Sequence, residues 1–158
     1  MSMPSSVVSV TSTEPTTYVT DASVFVRWYV EQDGWEHAVE VRDAFARAEI
    51  SLLAPAFVRV EMTNVIRKVW KRKRMLEPEG LAAVARSLDV LGVVLVESDA
   101  DGIARAARLA ATHSLSMYDA LYAELALSTG NVLLTADASS ARALAGHVPV
   151  EVLRGVPT

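Results

Sequence analysis

Short runs of apolar, mostly β-branched residues alternate along this chain with longer stretches whose apolar residues recur at helical spacing. That alternation admits few folds. Strands separated by helices pair in parallel, and the helices cover the faces of the sheet. The runs are Thr17 to Thr20, Ile50 to Ala54, Val93 to Val96, Val132 to Thr135 and Val150 to Leu153. Helices are expected from Ser23 to Tyr29, Trp35 to Ala48, Ala56 to Arg74, Pro78 to about Gly92, Ser98 to Ala111, Ser116 to Ser128 and Ala138 to Ala145. Ser98 is expected to cap its helix, and Gly130 stands where a helix C-terminus places glycine. The run Val93 to Val96 reads as a strand buried on both faces. The expectation is an α/β fold, one domain with a short central parallel β-sheet flanked by helices. Such sheets bind ligands beyond the carboxyl ends of their strands, which directs attention to the residues just after each run.

The 158 residues suit one domain, and 51% hydrophobic against 22% charged is enough apolar side chain for a continuous core. Residues 1–16, rich in Ser, Thr, Pro and Val without period, read as a flexible extension. They contain neither a basic segment nor an apolar signal core, so a cytoplasmic location is expected rather than export. Absence of cysteine fits a reducing compartment and excludes disulfides, thiolate nucleophiles and zinc–cysteine sites. The longest apolar stretch, Val90 to Val96, is too short to cross a bilayer, and no membrane partner is expected. The glycines stand too far apart to build a phosphate-binding loop. His37, His113 and His147 lack metal-ligand spacing. A net charge of −4 argues against wholesale attraction to nucleic acid, while leaving room for a local basic patch.

Four acids stand out by position. Asp21 follows the first run and Asp137 the fourth, each where strand gives way to helix. Asp119 lies at the third helical position after Ser116. Each aspartate also fits an ordinary capping role. Glu61 is different. At about 100° per residue it falls between Phe57 and Val65, on the apolar face of its helix, where an unpaired carboxylate costs several kcal/mol or protonates. Pairing with Arg27 or another arginine would answer that cost. So would convergence of the four acids at one sheet edge around a hard divalent cation, because clustered carboxylates cannot all ionise alone. Such a metal beside open water positions is phosphodiester-hydrolysis chemistry.

The motifs V-T-D-A-S at 19–23, P-A-F-V-R-V-E-M-T-N at 55–64, L-S-M-Y-D-A-L-Y-A-E-L-A at 115–126 and L-L-T-A-D at 133–137 give the order D…E…D…D. In this the chain resembles the PIN-domain ribonucleases, most closely the VapC-type toxins of bacterial toxin–antitoxin pairs, over about residues 17–153, leaving 154–158 as a short tail. The resemblance implies a catalytic site of Asp21, Glu61, Asp119 and Asp137, with Asp21, Asp119 and Asp137 holding Mg²⁺ or Mn²⁺. It also implies endonuclease action on RNA, a homodimer, and neutralisation by a small cognate antitoxin. Glu124 replaces a small residue expected after Asp119 and reads as facing solvent.

Ser116 and Thr135 are candidates to position water or phosphate, with capping and strand-end hydrogen bonding as the alternative. The stretch 67–74 holds six of the fifteen basic residues, and Lys68, Lys71, Arg72, Lys73 and Arg74 are candidates for RNA binding. The same cations suit a solvated helix end. Trp70 reads as packing rather than base stacking. The competing functions are a PIN-like nuclease acting on DNA or in RNA processing outside a toxin–antitoxin pair, a phosphotransfer domain with Asp21 as nucleophile, which lacks a lysine late in the chain, and a non-catalytic α/β binding module in which the acids are caps.

Overall fold

The computed structural model describes residues 14–158. Of the extension read at residues 1–16, residues 1–13 lie outside the described residues, and Thr16 already belongs to the first strand. The strands are β1 (Thr16–Thr20), β2 (Ile50–Pro55), β3 (Val94–Val96), β4 (Val132–Thr135) and β5 (Val150–Val152). The helices are α1 (Ala22–Val26), α2 (Trp35–Ala46), α3 (Val58–Arg72), α4 (Pro78–Leu91), α5 (Ala100–His113), α6 (Met117–Thr129) and α7 (Ala138–Leu144). All strand pairs are parallel, in the order β3-β2-β1-β4-β5. The expected α/β architecture is therefore the one adopted.

This order makes β1 the middle strand and sends the chain to opposite sides of it. Tyr18 pairs with Leu52 of β2 and with Val132 of β4. The crevice at the carboxyl ends of β1 and β4 is consequently the point where connections diverge and helices leave a gap. The Asp21 amide donates to the Leu134 carbonyl at 3.0 Å and fixes the end of β1 against β4.

The core gathers Val19, Phe25, Leu52, Met62, Ile66, Leu88, Tyr122, Leu134 and Leu144, all almost fully buried. Each large aliphatic or aromatic side chain removed from water contributes about 1.5–3 kcal/mol. Phe25 meets Trp28 edge to face at 4.9 Å, and the buried Trp28 indole donates to the Ala38 carbonyl at 2.9 Å, fastening α1 to α2. Trp70 packs part-buried against this core.

Three readings of the sequence need correction. β3 lies at the sheet edge with Val94 56% exposed, so it is not a strand buried on both faces. A β-branched run has the same pattern wherever strand order places it. The cap of α5 is Asp99, whose carboxylate accepts from the Gly102 amide at 2.7 Å, rather than Ser98. Glu124 faces inward. It is 7% exposed and takes a hydrogen bond from Arg105 Nε at 2.9 Å, joining α5 to α6. In the short C-terminal tail, Arg154 is tied to α2. The Arg154 amide donates to His37 Nδ1 at 2.8 Å, and its guanidinium pairs with Glu40.

Candidate active site

The four acids reach one end of the sheet by different local routes. Asp21 occupies the N-cap position of α1, yet its side chain makes no capping hydrogen bond. Its Oδ2 accepts instead from Ser23 Oγ at 2.5 Å and Thr135 Oγ1 at 3.0 Å. Those hydroxyls are themselves held, Ser23 by the Ala136 amide at 2.9 Å and Thr135 by the Asp137 amide at 3.0 Å. Asp21 is thus buried against the turn after β4. Burial raises its pKa, the Ser23 and Thr135 hydroxyls work against that rise, and the nearby Asp119 charge adds to it.

Asp119 and Asp137 are brought together through α7. Asp137 is the N-cap of α7, its Oδ1 accepting from the Ser140 amide at 3.1 Å. Ser140 Oγ lies 2.8 Å from Asp137 Oδ2 and 3.3 Å from Asp119 Oδ2. Ser116 plays the capping role: its hydroxyl accepts from the Asp119 amide at 3.1 Å and starts α6. Of Ser116 and Thr135, only Thr135 gives its hydroxyl to one of the four carboxylates, that of Asp21.

Glu61 sits in the first turn of α3, partly buried, beside the fully buried Met62. No arginine answers it. Its Oε2 is buried without a hydrogen-bond partner, as is the Tyr122 hydroxyl. Burial pushes the Glu61 pKa up to about 7, and the charges of Asp21 and Asp119 push in the same direction. The Tyr122 hydroxyl opposes this weakly, without forming a hydrogen bond of normal geometry. Tyr122, packed edge to face on Phe57 at 5.3 Å, is itself raised by burial and by Asp21 and Glu61.

Asp21, Asp119, Tyr122, Thr135 and Ser140 line one small cavity of about 10 Å³, the space of a single water molecule. The donor set is carboxylate and hydroxyl oxygen, the chemistry that hard divalent cations take. Among the described residues no three acids or histidines close into a ready-made metal cage. The aspartates are instead held by hydroxyls, while Glu61 keeps an unanswered oxygen. The orphaned Glu61 oxygen, beside the charges of Asp21 and Asp119, is a donor of the kind that a hard divalent cation takes.

The basic run is not brought to this cavity. It closes α3 at the end opposite Glu61, and from Glu61 to Lys71 is roughly 15 Å along the helix axis. Its basic side chains are exposed and form no ion pair among the described residues. Arg27 is also committed elsewhere, donating to the carbonyls of Ser23 and Asp33 at 2.8 and 2.7 Å.

The PIN domain profile matches residues 18–145, spanning β1 through α7 and all four acids. This chain belongs to the PIN domain family. The family's members are generally nucleases. Among solved structures, the PIN fold of this chain is similar to the crystal structure of PAE2754 from Pyrobaculum aerophilum. The TM-score is 0.51 at 23% identity over 85% of this chain and 90% of that one, a likeness of fold. No curated protein matches significantly.

Two residues of the site escaped the sequence reading. Ser140 stands three residues after Asp137 and Tyr122 three after Asp119, the spacing that puts side chains on one helical face. That spacing from an acid already suspected was the available signal.

Proposed function

We propose that this PIN domain is a Mg²⁺- or Mn²⁺-dependent endoribonuclease and the toxin of a toxin–antitoxin pair, hydrolysing RNA phosphodiesters at Asp21, Glu61, Asp119 and Asp137. The observation that carries the reading is Glu61: a carboxylate with a buried, partnerless oxygen, raised to about 7 by burial and by the charges of Asp21, at the end of the middle strand of a PIN-domain sheet, and of Asp119. A divalent ion there supplies a lowered pKa for bound water and an offset to charge growing on phosphate oxygens. Asp21, Asp119 and Asp137 would bind it, and Glu61 would orient or accept a proton from water beside it. Thr135 and Ser23 keep Asp21 in place.

By the same reading the protein acts in the cytoplasm, works as a homodimer and is neutralised by a small cognate antitoxin. The exposed Val60, Val90 and Val94, on α3, α4 and β3, are side chains that such partners would cover. No helix among the described residues is long and apolar enough to cross a membrane.

The test is cleavage of total cellular RNA by the purified protein in EDTA, in Mg²⁺ and in Mn²⁺, beside Asp119→Asn. Cleavage restored by the metals and lost in the variant is expected. Cleavage by a pure preparation in EDTA, or an unimpaired Asp119→Asn protein, would overturn the proposal.

A further inference from the structure

Every hydrogen bond to the carboxylates of Asp119 and Asp137 among the described residues comes from one residue. Ser140 gives its amide to Asp137 Oδ1 and its hydroxyl to the Oδ2 atoms of Asp137 and Asp119, at 3.1, 2.8 and 3.3 Å. A serine hydroxyl has one proton and serves one of the two oxygens at a time. Its short approach to both holds the Asp137 carboxylate close to that of Asp119, and Asp119 and Ser140 line the small cavity together with Asp21, Thr135 and Tyr122, whose buried hydroxyl has no hydrogen-bond partner among the described residues.

We infer that Ser140 is a positioning residue, whose hydroxyl clamps Asp119 and Asp137 into one pair of oxygens for a divalent cation. This deepens the proposed function and rests on it. Two carboxylates from separate helices would otherwise repel and turn apart. Among the described residues no other side chain hydrogen-bonds the Asp119 carboxylate, since Ser116 engages only its amide. Hydrogen-bond partners that orient metal-binding side chains commonly set metal affinity, and losing one weakens it on the order of 10- to 100-fold.

The capping and clamping roles separate cleanly because they use different atoms. Ser140→Ala keeps the amide that caps α7 and removes only the hydroxyl, so a purely structural serine predicts an unchanged protein. Mn²⁺ binding should be measured by titration calorimetry on the full chain for the parent, Ser140→Ala and Ser140→Thr, with thermal melts in EDTA beside it. The expectation is melting close to the parent for both variants, about tenfold or greater loss of Mn²⁺ affinity in Ser140→Ala, and recovery toward the parent in Ser140→Thr. If Ser140→Ala does not fold, Ser140→Cys, near in shape and a weak donor, takes its place. A folded Ser140→Ala protein that binds Mn²⁺ like the parent overturns the clamp alone, as does a folded Ser140→Thr protein that recovers nothing. A parent that binds no Mn²⁺ overturns the proposed function, and the clamp with it.

Discussion

Glu61 carries a carboxylate that folding takes out of water without supplying a counter-charge. Its folded pKa, near 7, exceeds its unfolded value, so the folded protein binds the proton more tightly. The penalty is absent below about pH 4, grows as pH rises between the two values, and is complete above about pH 7. Glu61→Gln should therefore raise stability in EDTA at pH 8 by about 1–2 kcal/mol, after allowing for the partial exposure of the carboxylate. Chemical denaturation at pH 8 and pH 4.5 checks this, and the gain should nearly vanish at the lower pH. Tyr122→Phe removes a buried hydroxyl that bonds nothing. Its melting temperature without metal should equal or slightly exceed the parent's, since an unsatisfied buried group costs about 1–3 kcal/mol. At this scale the sequence was informative where a polar residue interrupted an apolar face, as at Glu61. It was silent on Ser140, because a serine in a first helical turn is unexceptional until its neighbours in space are known.

Each helix end tells its own story. Asp99 rather than Ser98 satisfies the orphan amides of α5, so Asp99→Ala should cost about 1 kcal/mol, while Ser98→Ala should leave the urea midpoint where it was. α3 carries Glu61 in its first turn and the basic run at its close. Replacing Lys71, Arg72 and Lys73 by Ala should weaken RNA binding, and lower the slope of log K against log salt by roughly 0.7 for each phosphate no longer neutralised. The cleavage rate at saturating RNA should change little, because the run lies far from the acids. An unaltered salt slope would make it a solvated helix end. Element by element, the strands were readable because β-branched apolar runs have few alternatives. The inward turn of Glu124 was not, since Ala120, Tyr122, Ala123, Leu125 and Ala126 are also buried and α6 has no single apolar stripe to orient it. The edge position of β3 follows from strand order, which no local pattern encodes.

For the molecule as a whole, a cation that binds only the folded state stabilises it by mass action. Mg²⁺ at a hundred times its dissociation constant should add about 2.7 kcal/mol to the parent. The Glu61→Gln protein should gain less, because much of the repulsion that the ion relieves is already gone. Thermal melts at increasing Mg²⁺ measure both. The overall architecture was legible because alternating strand and helix leaves few topologies, and the right-handed crossover narrows them further. That Asp21 and Asp137 stand at the same end of the sheet was legible too, because parallel strands all present their carboxyl ends together.

The register of Tyr18 on Val132 has a consequence for how such a protein is made. A ribosome delivers the chain from its N-terminus at about 5–20 residues per second. β1, β2 and the intervening helices are available long before β4 emerges. Asp21 then waits beside an open sheet edge, without the Thr135 hydroxyl that holds it and without Asp137. The four acids are thus together only late in synthesis, and a product truncated before β4 has strands but lacks Asp137 and the Thr135 hydroxyl that holds Asp21.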